Sequence, residues 1–472
     1  MSRDSHDLLR SSERNAPVNI IVVVTDTLRR DYLPCYGNSE VITPNLDRFA
    51  ESALIFEDCY AASFPTVPAR ADLMTGRYTF AYLPWGPLPQ DETTLADLLS
   101  AAGYRTAMIA DTPFLARRGY GQDRGFQDFV YVRGQLHGTE RAYRQVQRAV
   151  SEIEGYCAPK TFKEAADWLE RHHDNPFFLY IDTWDPHEPW DPPAWYVKPH
   201  LPDYAGEVIA PTYYDYAADG VSERDLEIAR ACYMGEIAMV DHWFGYLVER
   251  VRTLNLLDDT AILFVSDHGF YFGEHGLFGK RRFRWPDGSG FDEGFAKGMT
   301  VHQRQVHRSP LHNELTQVPL LMKLPGEDGR RVPGLLSLPD LMPTLLDMLG
   351  LEAPARAQAK SALPLLNGEP IHDLVVTSAP FEEVGELSKT VDGQNRVVVE
   401  VSPTSITDGE WDLLYAVEGQ RVELYHARED RAHRHDLSAS RPEVVADLHA
   451  RYARWLRSID APERFLAQRL SL

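Results

Sequence analysis

The chain has 472 residues, 44% of them hydrophobic and 25% charged, enough for one large α/β domain plus a smaller one with ample core. Its formal net charge of -22 argues against nucleic-acid binding, so any anionic ligand must be drawn by a local basic site. No apolar run reaches the length of a membrane span. Four scattered cysteines (Cys35, Cys59, Cys157, Cys232) suit reduced thiols in a cytoplasmic protein better than a disulfide or zinc framework.

Met1 to Pro17 is polar and of mixed charge, without the apolar core of a signal peptide. Asn19 to Val24 then reads Asn-Ile-Ile-Val-Val-Val, a strand buried on both faces. Asp26 follows it, at the carboxyl end where open α/β sheets place ligands. A helix over Thr43–Ser52 and a strand at Leu54–Phe56 precede the run Ser63-Phe-Pro-Thr66-Val-Pro68-Ala-Arg70-Ala-Asp-Leu-Met-Thr75-Gly76-Arg77. Pro68 and Gly76 bracket a helix that starts just after Thr66. Its N-terminal amides and dipole favour a developing alkoxide or a bound oxyanion. Taken alone, Thr66 would be an ordinary helix cap.

A helix over Thr93–Ala102 and a strand over Thr106–Ala110 lead into Ala110-Asp-Thr-Pro-Phe114. Another helix, Lys160–His172, and strand, Phe177–Thr183, lead into Asp182-Thr-Trp-Asp-Pro-His187-Glu-Pro-Trp190. Trp190–Tyr216, rich in Pro, Asp and aromatics, reads as a surface lid or wall. Trp184, Trp190, Trp195 and Tyr196 there either line an aromatic or sugar pocket or simply pack the lid.

The helix Glu223–Leu254 and strand Ala261–Ser266 place Ser266-Asp267-His268-Gly269-Phe270 at a strand end, followed by Gly273-Glu-His-Gly and Lys280. Lys280–Leu311 is a long insertion carrying Arg281, Arg282, Arg284, His302 and His307, with His312 just beyond it. A strand at Pro319–Lys323 and a helix at Pro339–Leu349, capped by Gly350, complete an alternating pattern. After about residue 365 come short strands at Leu374–Thr377, Arg396–Val401, Leu413–Tyr415 and Val422–Tyr425, then an amphipathic helix, Pro442–Ile459. The expected fold is α/β: a large mixed, mostly parallel sheet flanked by helices over 17–365, and a small α+β subdomain with an antiparallel sheet over 366–472.

These motifs resemble those of the sulfatase family within the alkaline phosphatase superfamily, with features similar to phosphonate monoester hydrolases and phosphodiesterases. The likeness rests on Thr66-x-Pro68-x-Arg70 with Thr75-Gly76-Arg77, on Asp267-His268 with Lys280, and on Pro186-His187-Glu188-Pro189, and it spans about residues 17 to 460. In that family a Cys or Ser opens the first motif and is oxidised to formylglycine. Thr66 carries a methyl on Cβ and cannot become that aldehyde, so no formylglycine is expected. Cys157-Ala-Pro-Lys lacks the Arg and the T-G-R, and offers no substitute.

The resemblance implies one divalent metal held by Asp26, Asp267 and His268, with Thr66 as a nucleophile on the metal. It gives Lys280 the departing anionic group, and His187 either the anionic group or the leaving oxygen, at a pKa suited to neutral pH. Arg70 would contact Thr66 or an anionic group with its donor fork. The imidazole favours Mn²⁺, Zn²⁺ or Fe over Ca²⁺. A weaker alternative is a second metal on Asp185 with His307 or His312. The family's usual Lys and His after the third strand are missing; Thr112 is a candidate replacement donor.

The leading expectation is a hydrolase of a phosphate mono- or diester or a phosphonate ester with Thr66 as nucleophile. The alternatives are a sulfuric ester hydrolase using unmodified Thr66, and a catalytically silent relative that binds anions. The expected partner is a small anionic ester, with neither nucleic acid nor membrane. A homo-oligomer is left open.

Overall fold

The computed structural model describes residues 17–112, 115, 120–132, 156–280, 309–382, 403–417 and 421–472, with short pieces at 282–284, 287–288, 297–298, 305–307, 387–388 and 396–398. Arg281 and His302 of the long insertion lie outside the described residues.

Eight strands form the main sheet: β1 (Asn19–Thr25), β2 (Leu54–Tyr60), β3 (Arg105–Ala110), β4 (Asp128–Tyr131), β5 (Phe177–Thr183), β6 (Thr260–Ser266), β7 (Leu320–Lys323) and β8 (Arg330–Ser337), in the order β8-β2-β7-β6-β1-β5-β3-β4. Only β7 runs antiparallel to its neighbours. The apolar β1 run is explained by its two covered faces. Ile21 and Val23 face helices α1 (Pro44–Glu51), α4 (Cys157–His172) and α5 (Glu223–Thr253). Ile20, Val22 and Val24 face α2 (Thr66–Thr75), α3 (Leu95–Ala101) and α6 (Leu341–Met348). A central strand in a three-layer α/β sandwich has no solvated side, so it needs no polar alternation.

A separate antiparallel sheet orders β9 (Val375–Ser378), β10 (Thr404–Thr407), β11 (Trp411–Ala416) and β12 (Arg421–His426) in sequence, covered by α7 (Pro442–Ser458). It packs on Ala62, Tyr78 and Phe80, and Phe64 N–H donates to Ser378 O at 2.9 Å. The C-terminal sheet thus braces the chain on both sides of α2.

Two sequence expectations change. Arg396–Val401 was expected in the C-terminal sheet, but Arg396–Val398 joins Leu387–Ser388 and Gln305–His307 in another sheet. Thr404–Thr407 supplies the strand instead; its run Thr-Ser-Ile-Thr carries almost no apolar signal, and only burial between β9 and β11 makes it a strand. β2 also continues four residues past Phe56, since β8 pairs with it out to Tyr60.

Gly269 allows the closest backbone approach near the site. A Cβ there would lie 1.9 Å from Glu314 O, so Gly269→Ala is expected to cost at least about 2 kcal/mol of stability, read as a lowered denaturant midpoint. An unchanged midpoint would refute this account of the glycine.

Candidate active site

β5, β1 and β6 are adjacent and parallel, with Asp182 in register with Val24 and Thr25 in register with Ser266. Asp182, Asp26 and Asp267 therefore stand side by side at the carboxyl ends of the central strands. The first turn of α2 faces them, placing Thr66 and Arg70, both buried, over the row.

Thr66 is the first residue of α2, and its side chain caps no backbone amide. Its Oγ1 lies 3.3 Å from His268 Nε2. His268 Nδ1 pairs with Gly269 O at 2.9 Å, which requires the proton on Nδ1 and leaves a lone pair at Nε2. Burial, opposed by Asp267, holds the His268 pKa down at about 3, so the ring is neutral. Asp267 Oδ1 accepts from Thr27 N–H at 3.0 Å and from His268 N–H at 2.8 Å. Thr27 makes that bond at φ 63, a left-handed conformation unfavourable for a β-branched residue.

Asp26, Asp267 and His268 form the one group of three such donors among the described residues, with ligand atoms within 4.8 Å of one another. Both Asp26 carboxylate oxygens are buried and accept no hydrogen bond among the described residues. Burial and the neighbouring Asp267 push the Asp26 pKa well up. Burial raises Asp267 as well, but Arg70, the Thr27 N–H and Lys280 oppose it and hold this carboxyl below the ordinary carboxylate value. Two buried carboxylates and a neutral imidazole lone pair converge, so these residues fit a divalent cation.

Arg70 lies among the carboxylates of the row. Its Nε and Nη2 grip Asp182 at 2.8 and 2.9 Å, and Nη1 reaches Asp267 Oδ2 at 2.5 Å, Asp26 Oδ2 at 3.1 Å and the Thr66 carbonyl at 3.2 Å. It contacts the backbone of Thr66 rather than its hydroxyl, and its fork is filled by Asp182. Thr112, the candidate replacement donor, also spends its hydroxyl on Asp182, as does Tyr180 at 3.0 Å. Asp182 was missed in the sequence. Its one signal is a lone acid closing an otherwise apolar strand.

The surroundings of His187 do not give the near-neutral pKa expected of it. Burial, reinforced by Lys280, drives its pKa well below the ordinary histidine value, so the ring is neutral rather than poised near pH 7. Nδ1 pairs with Glu188 O at 2.6 Å, leaving Nε2 as an acceptor. Trp184 stacks on it at 3.7 Å, and Lys280 Nζ lies 5.9 Å from the Trp184 ring. Trp184 therefore walls the site, whereas Trp190 packs among Tyr233, Phe270 and Phe272, and Trp195 is 62% exposed.

The second-metal alternative finds no support among the described residues. Asp185 accepts from Ala158 N–H at 3.0 Å, and His312 Nδ1 pairs with His433 Nδ1 at 3.0 Å while stacking on His275. The side chain of His307 lies outside the described residues.

The family profile described as Sulfatase matches residues 18–351. An arylsulfatase of Clostridium perfringens is 25% identical over 412 residues, covering 74% of this chain and 78% of its own. The multifunctional alkaline phosphatase superfamily protein PehA of Trinickia caryophylli is 25% identical over 432 residues, covering 75% and 78%. The phosphonate monoester hydrolase of Agrobacterium radiobacter has the same fold, with a TM-score of 0.69 at 22% identity over 94% of this chain and 95% of that one.

Proposed function

The chain belongs to the sulfatase family, whose members are hydrolases that normally bind a divalent metal, and from that premise we propose that it cleaves a phosphate ester or phosphonate ester through Thr66. One observation carries this reading: an unmodifiable hydroxyl at a helix N-terminus, 3.3 Å from His268 Nε2 and beside two buried carboxylates. We assign the chemistry to residues 17–365, which hold every site residue, and a bracing role to 366–472.

Asp26, Asp267 and His268 would hold the cation, with Mn²⁺, Zn²⁺ or Fe preferred over Ca²⁺ for the imidazole. When bound, it supplies Lewis acidity that lowers the pKa of the Thr66 hydroxyl and offsets charge on the ester oxygens. Thr66 Oγ1 bonds to phosphorus as the bond to the leaving oxygen breaks, and His187 Nε2 takes the hydroxyl proton and passes it to that oxygen. Water then attacks the phosphothreonine, and His187 Nε2 relays the water proton back to Thr66 Oγ1. Lys280 Nζ donates to a non-bridging oxygen throughout.

The sulfate-ester reading is kept because sulfatases are among the relatives. A sulfo-threonine would have to be hydrolysed directly, without the elimination route open to a formylglycine hydrate. Matched aryl phosphodiester, phosphonate, phosphate and sulfate substrates decide the matter. Sulfate turnover higher by orders of magnitude would overturn the proposal, and no Thr66-dependent turnover at all would mark a silent anion binder.

Chelation is expected to remove activity and to lower the denaturation midpoint, with Mn²⁺ or Zn²⁺ restoring both better than Ca²⁺ and elemental analysis giving about one ion per chain. Activity that survives exhaustive chelation would contradict the assignment. For the pH profile, His187 must be unprotonated to accept a proton, so activity falls as pH drops through its depressed pKa. The acid limb of kcat/KM is expected below pH 6.5, and His187→Asn should remove it. A limb at or above pH 6.5 that persists in the variant would exclude His187 as the base.

A further inference from the structure

Lys280 lies between two carboxylates. Its Nζ is 3.7 Å from Asp26 Oδ1 and 3.8 Å from Glu188 Oε2, and it makes no hydrogen bond among the described residues. That leaves its protons for a ligand, but with Glu188 already close by. Glu188 is buried and held: Tyr213 Oη donates to Oε1, and Oε2 lies 3.3 Å from His187 Nδ1. A ligand oxygen on Lys280 Nζ therefore meets a fixed negative neighbour.

Around the site the described cationic side chains are Arg70 and Lys280 and the carboxylates are Asp26, Asp182, Asp267 and Glu188, while His187 and His268 each spend Nδ1 on a backbone carbonyl. A divalent cation at Asp26, Asp267 and His268 would bring these to balance and no further. Arg70 cannot turn to help, because Asp182 occupies its fork. His187 offers a lone pair at Nε2 rather than a donor. A ligand's first negative charge is met by Lys280 and the cation; a second lies near Glu188, with no further cationic side chain at the site among the described residues to offset it.

We propose that Glu188 selects substrate charge, admitting esters whose reacting group carries one negative charge (phosphodiesters and phosphonate monoesters) and rejecting dianionic phosphate monoesters. This rests on the phosphate-or-phosphonate reading above and narrows it.

The test is calorimetric titration of the metal-loaded full chain at pH 8 with dimethyl phosphate, a monoanion, and methyl phosphate, a dianion. The unaltered protein is expected to bind dimethyl phosphate more tightly. Glu188→Gln keeps the volume and the acceptor for Tyr213, and should shift the affinity ratio towards methyl phosphate by at least about tenfold. Tyr213→Phe, which loosens Glu188, should shift it the same way by less, and decides the matter alone if the glutamine variant does not fold. An unchanged ratio in a folded variant overturns the inference. Binding is read without turnover, so failure of the catalytic reading is separable: charge selection without Thr66-dependent hydrolysis sinks that reading, and hydrolysis with an unshifted ratio sinks this one.

Discussion

Thr66→Ala is expected to lower kcat/KM for an aryl phosphodiester by at least about 10³-fold, the scale of losing a nucleophile, while the fold is kept. The two halves of this expectation rest on different facts. Thr66 Oγ1 contacts His268 Nε2 and makes no capping bond to the backbone of α2, so truncation removes the reacting atom and that one contact while leaving the hydrogen bonds of the helix intact. The cost in stability should stay near about 1 kcal/mol, that of a small buried truncation. Metal content should not change, because Asp26, Asp267 and His268 remain. Mass spectrometry of acid-quenched unaltered enzyme offers an independent check, since a phosphorylated peptide should map to Thr66. Full activity of the alanine variant would make Thr66 a bystander and the reaction a direct attack by water.

Arg70→Met should have the largest effect on stability, about 3–5 kcal/mol, as expected when one partner of a buried ionic network is removed. Arg70 is 1% exposed and is the counter-charge to Asp182, Asp267 and Asp26 at once. Its loss leaves Asp182 paired only with neutral hydroxyls and leaves Asp26 and Asp267 facing each other. Denaturant unfolding of the metal-free protein would show the drop, and added Mn²⁺ or Zn²⁺ should recover part of it by supplying the missing charge. Arg70→Lys keeps one charge but cannot form the two-pronged grip on Asp182, and should fall between. A loss below about 1 kcal/mol would mean the carboxylates are neutral or solvated, against their burial.

Much of the site was legible because its chemistry is local. Asp267-His268 at a strand end, Thr66 at a helix start and Asp26 after β1 are each set by a few neighbouring residues, and strand alternation brings them to one edge of one sheet. Lys280 was legible by its spacing from the same motif. What could not be read is what those groups do to one another. Arg70 and Asp182 are 112 positions apart, and nothing in either segment announces that one consumes the other's donor fork. His187 was legible from its Pro186-His187-Glu188-Pro189 element, but its burial beside Lys280, which lowers its pKa, was not.

The strands show the same division. The apolar runs of β1, β5 and β6 declared themselves, since a strand covered on both faces must be apolar throughout. Thr404–Thr407 did not, because its strand state comes from partners on either side rather than from its composition. The amino-acid sequence by itself determined the fold class, the absence of a modifiable Cys or Ser at position 66, and the donor types available to a cation. Tertiary structure alone decided the charge balance at the site, the protonation of its histidines and the pairing of Glu188 with Lys280. The physical reason is that residue identity is carried by the chain, whereas desolvation and Coulomb energy depend on distances that exist only once distant segments have packed.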